Sequence, residues 1–104
     1  MIIQRIEKVN AGLSHNLLKE IIAAITRHVN PSKIFLFGSR AQGRYSSTSD
    51  IDIAVDCGDD DFLIQPIDEE VRTLLKLDII NFYKVNEKLQ KEIMTDGIIL
   101  YEKT

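Results

Sequence analysis

Two aspartates, Asp50 and Asp52, stand one residue apart in the run DIDIAV. Ten residues separate Asp50 from Ser39, which with Gly38 follows the apolar run KIFLF. On a strand, side chains at i and i+2 share a face. Two carboxylates that close repel unless a cation sits between or beside them. A hard divalent ion with oxygen ligands, such as Mg²⁺, removes that repulsion. Two such ions would bridge triphosphate oxygens and support an in-line displacement at phosphorus. The Gly38-Ser39 turn offers backbone N–H groups and a hydroxyl to the terminal phosphates, and a helical turn starting there adds its positive end. Arg40 and Arg44 flank the turn. Arginine is a common phosphate binder, so either could meet phosphate, and both could equally be exposed arginines on a polar loop.

A third acid, Asp78, interrupts the apolar run LDIINF. Strands disfavour aspartate, so its place between Leu77 and Ile79 needs a reason. Other polar residues carry weaker signals. Asp56, Asp59, Asp60 and Asp61 read as a solvated acidic loop. His15 and His28 lie at opposite ends of one helical stretch and read as surface residues. Cys57 has no activating neighbour in sequence. Tyr45 is a loop aromatic that could also stack on a base.

These residues need a scaffold. Ile2, Ile6 and Val9 are spaced for a short amphipathic helix over residues 2–9, with a strand as the alternative at that length. Ser14 caps a helix over 15–29, whose Leu18, Ile21, Ile22 and Ile25 make one apolar stripe. Asn30-Pro31 stops it. Lys33–Phe37 is apolar on both faces, as a central strand is. Asp50–Val55 is a second strand, with isoleucines and valine on one face and the acids on the other. Pro66 suits a helix first turn. Leu77–Phe82 is a third strand, Asn86 caps a helix over 87–95, and Ile98–Tyr101 is a last strand. The expected class is α+β: a small mixed sheet with helices packed on one face.

The chain has 104 residues, 44% of them hydrophobic and 28% charged, with net charge −3. One domain, 1–104, is expected. The charge and the absence of a basic stripe argue against direct nucleic-acid binding. A lone cysteine excludes an internal disulfide. The N-terminus does not read as a signal peptide, and no apolar run reaches membrane-spanning length, so a cytoplasmic protein is expected.

The stretch GSRAQGRYSSTSDIDIAV resembles the signature of the DNA polymerase beta-like nucleotidyltransferase superfamily: Gly-Ser, ten residues, then Asp-x-Asp. The short length resembles its minimal nucleotidyltransferase (MNT) branch, often the antitoxin half of HEPN–MNT toxin–antitoxin pairs. The resemblance spans roughly residues 15–101 and implies a polymerase beta palm-like core. It implies that Gly38 and Ser39 bind the β- and γ-phosphates of ATP. It implies that Asp50, Asp52 and Asp78 are catalytic acids holding Mg²⁺, two ions in the family pattern, and that Asp78 helps deprotonate the acceptor. The implied reaction moves AMP from ATP to a hydroxyl, a tyrosine of a HEPN RNase toxin. The alternatives are a nucleotide-binding antitoxin that works by occupancy, and transfer to a small molecule. One small domain leaves the acid face open, so a partner chain or a second copy is expected to cover it.

Overall fold

The computed structural model describes residues 2–4, 9–58 and 60–103. Helix α1 (His15–His28) begins where the Ser14 hydroxyl accepts the Leu17 N–H at 3.1 Å. Its stripe of Leu18, Ile21, Ile22 and Ile25 is buried. Strand β2 (Lys33–Phe37) follows, then one turn of helix, α2 (Gly38–Ala41), and strand β3 (Ile51–Asp56). Helix α3 (Ile64–Glu70) leads to β4 (Leu77–Asn81) and a 3-10 turn at Phe82–Lys84. Helix α4 (Glu87–Asp96), capped by Asn86 through Leu89 N–H at 2.9 Å, precedes β5 (Ile98–Lys103).

Among the described residues the strands form one mixed sheet in the order β1-β5-β2-β3-β4. The β2–β3, β2–β5 and β1–β5 pairs are antiparallel, and β3–β4 is parallel. A parallel pair needs a crossover, and α3 provides it. Strand alternation then sorts the side chains. Ile34, Leu36, Ile51, Ile53, Val55, Leu77 and Ile79 face α1 and α3 and make the main core. Asp52, Ala54 and Asp78 look the other way.

The expected α+β class with a mixed sheet and its main helical layer on one face is what the chain adopts. The opposite face also carries a helix. Ile93 of α4 packs there with Phe35, Ala54 and Phe82, and the Phe35 and Phe82 rings stack at 5.7 Å. Burying a large aliphatic side chain is worth about 1.5–3 kcal/mol. Helix α1 buries four of them and α4 only Ile93, so α1 anchors the sheet more strongly. The short helix expected over residues 2–9 is corrected in part. Ile2–Gln4 forms the edge strand β1, paired with Gln4 opposite Tyr101. Pairing with β5 overrides a local pattern too short to hold a helix. Residues 5–8 of that expectation lie outside the described residues.

Candidate active site

Asp52 on β3 lies directly opposite Asp78 on β4. In-register neighbours on adjacent strands stand about 4.8 Å apart and project their side chains to the same face. The two acids are therefore brought together by the sheet ladder, from positions 26 residues apart in the sequence. Burial holds the Asp52 carboxyl above its usual range, and the charges of Asp78 and Asp50 push it further, with Lys76 opposing. Lys76 Nζ lies 3.8 Å from Asp78 Oδ1. Lys76 was not singled out by its sequence. Its spacing two residues before Asp78 was the available signal.

Gly38 closes the other side of Asp52. Its φ is +74°, in the left-handed region that favours glycine. A Cβ there would run into the Asp52 carboxylate. Phe37 pairs with Asp52 across β2 and β3, so the chain must turn away just where the acid projects. Ser39 is half-buried in α2 beside it. Asp50 is exposed and precedes β3 by one residue, rather than opening the strand as expected. Beyond Gly38 the face is walled by α4. A recess of about 140 Å³ lies there between Phe37, Gln42, Leu89 and Asp96.

Arg40, expected either at phosphate or exposed on the loop, is buried, 1% exposed. Its guanidinium donates to the carbonyl oxygens of Ala11 at 2.9 Å and Ser49 at 2.9 Å, with longer contacts to Gly12, Ser46 and Ser47. Tyr45 covers it, with the ring centroid 5.2 Å from Cζ. Arginine offers five N–H donors in a rigid fork, and here they tie loop 44–50 to the segment before α1. Tyr45 is thus a partner of Arg40 rather than a free platform. Arg44 stays exposed and donates to the Gln42 side-chain oxygen.

The remaining polar candidates lie outside this constellation. His28 Nε2 meets Glu70 Oε1 at 2.6 Å, and Arg27 bonds the same carboxylate. Cys57 is buried, its thiol pushed up by burial and by Asp60 and Asp56. Asp61 pairs with Lys84 at 3.3 Å, and Asp59 is not among the described residues. No three His, Cys, Asp or Glu side chains among the described residues converge as a finished metal cage. The donor chemistry still fits a hard cation: two carboxylates share a register position and repel, and a third is near enough to raise Asp52. No helix among the described residues is long and apolar enough to cross a membrane.

The profile of the family described as Polymerase beta, Nucleotidyltransferase matches residues 19–104. No curated protein matches the chain. Among solved structures, a toxin–antitoxin with AMP-PNP is 25% identical, covers 84% of this chain and 74% of its own, and has a TM-score of 0.71. An MntA–HpeT toxin–antitoxin mutant is 23% identical over the same shares, with a TM-score of 0.70. A candidate nucleotidyltransferase from Sulfolobus solfataricus is 22% identical, covers 91% of this chain and 90% of its own, and has a TM-score of 0.54. The last two are likenesses of fold.

Proposed function

The chain belongs to the polymerase beta nucleotidyltransferase family, and we propose that it transfers AMP from ATP to a tyrosine hydroxyl of a HEPN-type toxin and thereby acts as the antitoxin. The observation that carries the reading is the in-register pair Asp52 and Asp78, with Gly38 turned tightly against Asp52. The likeness to a toxin–antitoxin with AMP-PNP supports ATP as the donor and a toxin as the acceptor.

Gly38 leaves the room that triphosphate and carboxylate share. Ser39 contributes its hydroxyl, and the turn its N–H groups, to the β- and γ-phosphates. Arg44, exposed on the same loop, is the cation left to meet pyrophosphate. Asp50, Asp52 and Asp78 would hold Mg²⁺, two ions in this reading. Such ions supply neutralisation of the phosphate charge when bound. Asp78 accepts the proton of the acceptor hydroxyl as its oxygen bonds to the α-phosphorus. The bond from that phosphorus to the bridging oxygen breaks, and pyrophosphate leaves with the electron pair. Lys76 steadies the Asp78 carboxylate. Catalysis here is mostly positioning and charge stabilisation.

The test incubates the chain with ATP, Mg²⁺ and a candidate HEPN-type toxin from the same genome. Mass spectrometry should find one AMP on a tyrosine of the toxin, and none with Asp52→Ala. A toxin that stays unmodified with the unaltered chain refutes the transfer.

A further inference from the structure

Among the described residues the sheet ends at β4. Ile51 N–H donates to the Lys76 carbonyl at 2.8 Å, which fixes the phase of the parallel ladder. In such a ladder Asp78 and Ile80 bond to β3, and the main-chain groups of Leu77 and Ile79 point outward. Edges of this kind are usually blunted or covered, because they accept another strand. Here the edge opens onto a groove of about 530 Å³ between β4, α3 and the loop joining them. Ile64 and Leu75 line it, and Leu63 and Leu74 stand exposed beside those residues in the chain, Leu74 fully so. The groove reaches Asp78 itself. Asp68 also lines it, and no side-chain ion pair engages Asp68 among the described residues.

We propose that this edge is the docking track of the acceptor polypeptide, which adds to β4 as an extended strand and so lays its hydroxyl residue beside Asp78. The proposal rests on the transfer reading above and says where the acceptor binds. Continuity with the acids selects the occupant, since Asp78 belongs both to the groove and to the constellation with Asp52. An added strand beside β4 keeps the two-residue alternation. The residue next to Asp78 then points to the acid face, and its two chain neighbours point to the side of Ile64 and Leu75. The occupant therefore carries a hydroxyl side chain between two apolar ones. It also carries a basic residue, complementary to Asp68. Main-chain bonds supply affinity and the alternating pockets supply selectivity.

The probe is an acetylated nine-residue peptide with Val-Tyr-Val at its centre and one terminal arginine, added to the full chain with AMP-PNP. Amide exchange at Leu77 and Ile79 should slow at least tenfold, with little change at Asp78 and Ile80, which already bond to β3. N-methylation of alternate peptide amides should abolish binding in one phase and spare it in the other. Ile64→Lys combined with Leu74→Lys should weaken the peptide at least tenfold and leave AMP-PNP affinity unchanged. Unslowed exchange at Leu77 and Ile79, or equal tolerance of both N-methyl phases, overturns the proposal. Two results separate it from the chemistry. If the edge amides are protected but ATP yields no AMP-peptide, the track stands and the transfer reading falls. If the double lysine variant labels the toxin as fast as the unaltered chain, transfer stands and the track falls.

Discussion

The Asp52 carboxylate fills the space that a side chain on Gly38 would need. Two constraints therefore act on residue 38 together, a left-handed backbone and a missing Cβ. Gly38→Ala should destabilise the fold by about 1–2 kcal/mol from the backbone alone. It should also displace Asp52. Urea denaturation reads the first effect and AMP-PNP titration the second. An alanine variant that binds AMP-PNP normally would show that the turn does not hold the nucleotide.

Asp52 links pH to stability. Its folded carboxyl is held above the ordinary value by burial, then by Asp78 and Asp50. Folding thus favours the protonated form. That contribution is full below the unfolded value and is lost as pH rises through the folded one. Just above the usual carboxylate range, the native chain should lose stability relative to Asp52→Asn. Thermal melts across pH check the sign. Mg²⁺ at neutral pH should raise the melting temperature of the native chain more than that of the variant, because it relieves the same repulsion.

Asp78→Asn separates binding from chemistry. Removal of a positioned base costs about 10²–10⁴-fold in rate. The Lys76 pair it breaks is largely exposed, so little stability should go with it. Single-turnover labelling of the toxin should fall by that factor. AMP-PNP affinity should change far less.

Arg40→Met tests the loop anchor. Each buried acceptor left without a donor costs about 1–3 kcal/mol. Ala11 and Ser49 both lose short bonds, so a loss of at least about 2 kcal/mol in unfolding free energy is expected. Arg40→Lys should recover only part of it, because an ammonium group cannot span both carbonyls. Loop 46–49 feeds directly into Asp50, so AMP-PNP binding should weaken in both variants.

Glu70 ties α3 to α1. Hydrogen bonds from His28 and then Arg27 hold its carboxyl below the usual range. That contribution is present above the unfolded value and is lost as pH falls through the folded one. Glu70→Gln should lower the melting temperature slightly at low salt. The difference should vanish near about 1 M salt, where charges are screened within a few ångströms. A difference that persists in salt would mean packing rather than charge.

Much of the scaffold was readable because its determinants are local. KIFLF marks β2 to the residue, and Ser14 and Asn86 cap the helices they precede. Asp52 and Asp78 stand out because strands rarely hold acids, and Asp50 only by its place two residues before Asp52. The burial of Arg40 was not legible, because its partners are main-chain oxygens of the following loop and of the distant segment before α1, and no side-chain pattern announces them. The position of α4 was hidden for a related reason. Leu89 and Ile93 mark its inward side at helical spacing, but that pair does not say which face of the sheet it covers. Strand β1 depended on β5, almost a full chain length away.

The parallel register of β3 and β4 has a thermal consequence. Asp52 and Asp78 keep their separation through main-chain hydrogen bonds, not through loops. Loop fluctuations that grow on warming cannot spread the pair. The acids should stay matched until the sheet itself melts, so heat inactivation should coincide with cooperative unfolding instead of preceding it.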